Sequence, residues 1–214
     1  MSATIDVATA LEVADWRRQT AEIYARTRET DDPLDAWHRW QDDRRRMFTT
    51  HPQSPIPAGE RDSAHAPAYF PYDPSRRVLA TVVPHDVESF ALPGSTDEQL
   101  TALRFGTALF ELDGAPCSLA MFWLRDYAGG IFVSFRDATS GSETYGAGRY
   151  LLDTAKGADL GMEDGRLVLD SNFAYQPSCS YDPRWSCPLP PRENWLPIPI
   201  AAGERLSEAA QEPM

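Results

Sequence analysis

The sequence predicts a mainly β (α+β) fold: an antiparallel, partly closed β-barrel or curved sandwich, with two N-terminal helices and a Pro-rich C-terminal wrap. Three observations predict it. The first fifty residues carry apolar side chains at helical spacing. After residue 67 the pattern changes to short β-rich runs joined by Asp-Gly and Gly-Gly turns, with no helix between them, which argues against a doubly wound sheet. From Gln176 to Ile200 prolines recur at positions that exclude regular structure.

The elements follow in order. Residues 8–29 read as an amphipathic helix, with Val13, Trp16, Ile23 and Tyr24 on one face. Asp31-Asp32-Pro33 ends it and starts a second helix, with Asp32 as N-cap and Pro33 at the first helical position. That helix runs to about Phe48 and aligns Trp37, Trp40, Arg44, Met47 and Phe48, a stripe read as packing. His51 to Pro67 is a Pro-, Ser- and Gly-rich connection. Strands are expected at 68–72, 78–83, 103–112, 117–124, 131–135, 148–152 and 166–169. Asp113-Gly114, Gly129-Gly130 and Asp164-Gly165 supply turns, and a three-stranded meander spans 103–135. The expected organisation is a helical segment over 1–50, a connection over 51–67, a β-barrel-like domain over 68–206 and a flexible tail over 207–214.

Charge narrows the function classes. Among 214 residues, 32 acidic side chains face 20 basic ones, a formal net charge of −12. Nucleic acid and anionic membrane surfaces draw affinity from clustered cations, so both are excluded as expected partners. No apolar run is long enough to span a bilayer. The N-terminal stretch MSATIDVATALEVADW has no basic segment ahead of an apolar one, so a cytoplasmic protein is expected. The single lysine, Lys156, lies in no phosphate-loop motif, which disfavours P-loop and Schiff-base chemistry. All four histidines (His38, His51, His65 and His85) lie in the first half, with no His-Glu-x-x-His pattern.

Candidate chemistry sits in the second half. In FRDATSGSETYGAGRYL (135–151), glycines permit close backbone approach, and successive amides there can form an anion-binding nest. Arg149 adds a two-pronged fork for a carboxylate or phosphate. Alternatively, Arg149 neutralises a structural carboxylate, with Asp137, Asp170 and Glu204 as candidate partners. In LDSNFAY (169–175), strand alternation puts Asp170 and Asn172 on one face, to orient a substrate or to tie down the following loop. Cys179 and Cys187, with seven residues between them, offer a nucleophile, a redox pair or two metal ligands, against buried thiols or a loop-closing disulfide. Their spacing matches no standard zinc site, and no metal ligand set is assigned.

The runs GAGRYL (146–151), LDSNFAYQPSC (169–179), CPLPPREN (187–194) and IAAGE (200–204), with HPQSP (51–55) and FRDATSGSETY (135–145), resemble a bacterial family known as domain of unknown function 1684. The resemblance covers about residues 35–206. It implies no activity. It places Arg149, Tyr150, Asp170, Asn172, Tyr175, Cys179, Cys187, Asn194 and Glu204 at characteristic positions of the family motif. The chain departs from the usual pattern at Ser171, Phe173, Gln176 and Trp195, where Phe, Lys, Asn and Arg are usual.

The leading expectation is a small-molecule pocket holding an anionic ligand through Arg149. Thr139, Tyr145, Tyr150, Asn172 and Tyr175 would line it, with Asp137 or Asp170 as general base if chemistry occurs. Whether the protein is an enzyme stays open. One rival is thiol or metal chemistry at Cys179 and Cys187. Another is a non-catalytic interaction or homodimerisation module using Trp37 and Trp40. No cofactor is assigned; a flavin rests on fold analogy alone.

Overall fold

The computed structural model describes residues 6–97, 99–125 and 129–207. Helix α1 spans Val7–Glu29, with the Asp6 side chain accepting from the Thr9 amide as N-cap. Helix α2 spans Pro33–Thr50, and Asp32 caps it by accepting from the Leu34 and Asp35 amides. Both helices lie where the apolar spacing predicts them. The strands are β1 (Ala68–Tyr69), β2 (Arg77–Leu92), β3 (Leu100–Leu112), β4 (Ala115–Leu124), β5 (Gly130–Phe135), β6 (Arg149–Asp153), β7 (Met162–Glu163), β8 (Arg166–Asp170) and β9 (Glu204–Arg205).

Seven strands form one sheet in the order β6-β5-β4-β3-β2-β8-β7, every neighbour antiparallel. The hairpins turn where Asp-Gly predicts: Asp113 sits at φ 52° and Asp164 at φ 49°, each followed by a glycine of positive φ. The sheet curls into a half-barrel. Past β8 the chain reaches back to its far edge, where Tyr150 of β6 and Tyr175 exchange backbone hydrogen bonds of 2.8 and 3.0 Å. The expected mainly β, partly closed architecture is therefore the observed one.

Three readings of the elements are corrected. The strand expected at 78–83 continues to Leu92, because a register shift between Pro84 and Glu88 accommodates the proline at a bulge. The expected strand 68–72 is only Ala68–Tyr69, paired to β9 rather than to the main sheet. Asp170 and Asn172 do not share a strand face. The strand ends at Asp170, which caps a turn of 3-10 helix over Ser171–Phe173. Residues 208–214 of the expected tail lie outside the described residues.

Two apolar clusters hold the molecule together. One joins the helices to the sheet through Trp37, Trp40, Phe48, Phe122, Phe132 and Phe173. The other joins the sheet to the wrap through Leu119, Phe135, Leu169, Leu196 and Ile200. Trp37 and Trp40 are buried, and Trp40 packs on Tyr24, Tyr69 and Phe173 at ring separations of 5.1–6.3 Å. They form core, not the exposed partner surface considered from sequence. Among the described residues, no helix is long and apolar enough to cross a membrane.

Candidate functional site

Arg149 begins the strand that closes the curl, and its side chain is fully buried. It donates to the carbonyls of Ile200 (2.8 Å), Ala202 and Glu204 (3.3 Å) and pairs with Asp137 at 3.3 Å. Burial pulls its pKa down and Asp137 opposes the shift. Asp137 in turn accepts from the Ile200 amide at 2.6 Å and from the Thr139 and Ser140 hydroxyls. Arg149 thus fastens the wrap to β6, and its Nη donors are spent on protein. The contacts observed are those of the structural alternative, a pair with Asp137.

The neighbouring loop ties down part of its own backbone. The amides of Ser142, Glu143 and Thr144 converge on the Thr139 carbonyl at 3.0–3.2 Å. Thr139 is buried, with its hydroxyl between Asp137 and Thr144. These bonds occupy the amides of residues 142–144.

Asn172 is also tied down. Its side chain accepts from the Asp73 amide (2.9 Å) and donates to the Asp73 carbonyl and Asp170 (both 2.8 Å). Asp170 is buried, its pKa raised by desolvation, and it accepts from Asn172 at backbone and side chain. It borders an open surface groove with Arg28, Arg77 and Glu163, apart from the Arg149 cluster. The structure therefore does not bring Asp137, Asp170 and Arg149 around one ligand space.

It does bring Tyr150 and Tyr175 together, in the lining of a cavity. This cavity of about 260 Å³ lies where α1, α2, β6 and the wrap meet. Val13, Trp16, Phe48, Tyr150, Tyr175 and Trp185 supply its apolar lining. Its charged lining is Arg17, Arg44 and Lys156, with no carboxylate among the lining residues. Arg44 lies at the floor, 4.8–5.0 Å from the ring centres of Trp40, Phe48 and Tyr175, and pairs with buried Glu204 at 2.8 Å. Lys156, half exposed, pairs with Asp153 at 2.9 Å. Arg17 is exposed, makes no ion pair among the described residues, and lies close enough to Lys156 to repel it. The Tyr175 hydroxyl and the Trp185 indole N–H are buried without a hydrogen-bond partner among the described residues, and both residues line the cavity.

Tyr145 lies beside Cys179 rather than in the cavity, its hydroxyl 3.8 Å from the sulfur. Cys117, Cys179 and Cys187 are free thiols, and Cys187 joins the cavity wall. Among the described residues, no group of three or more His, Cys, Asp and Glu is gathered as a metal site.

Sequence reasoning missed Arg17, Arg44, Lys156 and Trp185 as cavity residues. Two signals were available: Arg44 interrupts the apolar face of its own helix, and Lys156 is the single lysine of an arginine-based chain.

Fold and site together define a class: a curled antiparallel half-barrel whose helices and C-terminal wrap enclose a basic, aromatic-lined cavity. The chain belongs to the family of proteins of unknown function DUF1684, whose model matches residues 65–205. It is similar to the uncharacterized protein from gene locus rrnAC0354 of Haloarcula marismortui, known from a solution NMR structure. Identity is 40%, covering 83% of this chain and 98% of that chain, with a TM-score of 0.60. No curated protein matches the chain.

Proposed function

We propose that the protein binds a compact aromatic or apolar carboxylate in the cavity between the helices and the wrap. One observation carries the reading: in a chain of net charge −12, the cavity's charged lining is basic throughout. Like charges at Arg17 and Lys156 repel, and an anion between them relieves that repulsion. The unpartnered Tyr175 hydroxyl and Trp185 N–H support it, because buried polar groups without partners are uncommon and these two can serve a bound oxygen. The volume lies just below the usual ~300–1,000 Å³ of small-molecule sites, which favours a small ligand. The aromatic walls favour a flat apolar body over bare phosphate.

The expected anionic ligand is thus kept, and its holder moves from Arg149 to Arg17 and Lys156, with Arg44 fixing the floor. Calorimetric titration with benzoate, inorganic phosphate and benzylamine tests the reading. Benzoate is expected to bind saturably, and the Arg17→Ala/Lys156→Ala double variant to weaken it at least about tenfold, some 1.4 kcal/mol. Equal binding of benzylamine, or a double variant that binds benzoate as the parent does, would refute it.

A further inference from the structure

We propose that Cys179 and Cys187 form a redox-active dithiol that reacts with low-molecular-weight disulfides, Cys179 attacking and Cys187 resolving. The geometry carries the assignment. The two cysteines sit near the ends of a segment anchored at both sides. At one end, Tyr175 bridges β6. At the other, the Tyr150 hydroxyl donates to the Pro188 carbonyl at 2.6 Å, and Leu189 donates to Pro93 at 2.7 Å. Ser95 pins this end of the segment through three hydrogen bonds, two to Cys187 and one to Trp185. Its hydroxyl accepts from the Cys187 amide (2.9 Å) and donates to the Trp185 carbonyl (3.1 Å), and its own amide donates to the Cys187 carbonyl (2.9 Å). This brings the Cys187 thiol and the Ser95 hydroxyl toward the Cys179 sulfur, with Tyr145 on a further side.

Exposure assigns the two roles, because Cys179 is partly exposed and Cys187 is buried, and the electrostatics agree with it. Donation from the Cys187 thiol, with the Tyr145 hydroxyl helping against burial, lowers the Cys179 pKa to about 6. The same interaction, reinforced by burial, raises that of Cys187. The pair therefore shares one proton: Cys179 is the thiolate and Cys187 the thiol. The other titratable groups facing them are Tyr145, Tyr150 and, toward Cys187, Lys156.

The exchange balances. The Cys179 thiolate attacks one sulfur of a disulfide RSSR, forming Cys179–S–SR and expelling RS⁻. The negative charge on Cys179 is then gone, so Cys187 loses the interaction that held its proton and passes it to the expelled RS⁻, giving RSH. Its thiolate attacks the Cys179 sulfur, expels a second RS⁻, and closes the Cys179–Cys187 bond. Two cysteine thiols are oxidised and one external disulfide is reduced to two thiols. Gln176–Ser178 and Trp185–Pro188 both line the cavity, so closure of this bond acts directly on the cavity wall. The dithiol chemistry itself does not depend on the cavity's ligand.

Glutathione disulfide is the probe, applied to the full chain, followed by acid quenching, alkylation and peptide mapping. The parent is expected to gain a 179–187 disulfide with Cys117 unmodified. Cys187→Ser is expected to stop as a glutathione adduct on Cys179, and Cys179→Ser to react at least about tenfold more slowly. A parent that halts at the mixed disulfide, or that reacts first at Cys187 or Cys117, would overturn the proposal. A readout needing no cysteine variant is the pH dependence of Cys179 alkylation in the parent. A midpoint near 6 is expected, moving upward in Tyr145→Phe. A midpoint at the ordinary thiol value of about 8.5 would also overturn it.

Discussion

Arg149 and Arg44 show how partner choice decides what a buried cation does. Arg149 meets three backbone carbonyls and Asp137, and these partners all lie within the fold. Removing its counter-charge leaves an uncompensated buried guanidinium, so Asp137→Ala is expected to cost about 3–5 kcal/mol in urea unfolding. A loss under 1 kcal/mol would contradict the fastening role. Asp170 gives a pH signature. Burial raises its folded-state pKa, so its contribution to stability is full below the unfolded value of about 3.9 and declines as pH rises through the raised value. The stability of the parent minus that of Asp170→Asn is therefore expected to fall as pH rises from about 4 toward neutrality. A difference that is flat or rises would show that desolvation does not dominate at Asp170. From sequence, Arg149 stood out because it is a lone cation among glycines. Its partners Asp137 and Glu204 were candidates from sequence, but burial is a property of the closed curl and no local pattern encodes it.

Elements were most legible where chemistry is local. The caps at Asp32 and the turns at Asp113 and Asp164 follow from a side chain or a backbone preference within four residues. The second half of β2 was not legible, because only its long-range pairing with β3 compensates for Pro84. The wrap was recognisable as irregular but not as a clamp. Asn194 makes it one: it accepts from the Ala120 amide at 2.7 Å and donates to the Ala120 and Ser134 carbonyls, reaching β4 and β5 at once. Asn194→Ala leaves buried backbone groups unpaired and is expected to destabilise by about 2–4 kcal/mol. Gly203 makes the last turn at φ 73°, and a Cβ there would come within 2.5 Å of the Ser171 carbonyl oxygen. Gly203→Ala is therefore expected to lower Tm by several degrees, and an unchanged Tm would contradict that packing.

The whole molecule explains why the cavity was not legible in advance. Its lining comes from α1 and α2 on one side and from β6 and the wrap on the other, two halves of the chain far apart in sequence. The net charge of −12 is an average over the chain and does not reveal that the cavity's charged lining is basic. The motif-rich second half supplied only part of the site. Tyr150 and Tyr175 were found there, whereas Arg17 and Arg44 come from the helices. Helices and sheet share one core around Trp40, which is fully buried. Trp40→Ala is expected to cost about 3–5 kcal/mol and to abolish benzoate binding with it.

The central claim is that ligand recognition belongs to the cavity and not to the Arg149 cluster. NMR titration with benzoate separates the two directly, by following the indole N–H signals of the six tryptophans and the backbone amides. The Trp185 indole and the amides of Gln176–Ser178 are expected to shift saturably, while those of residues 137–149 stay still. Shifts centred on residues 137–149, or a Trp185 signal that never moves, would contradict the account.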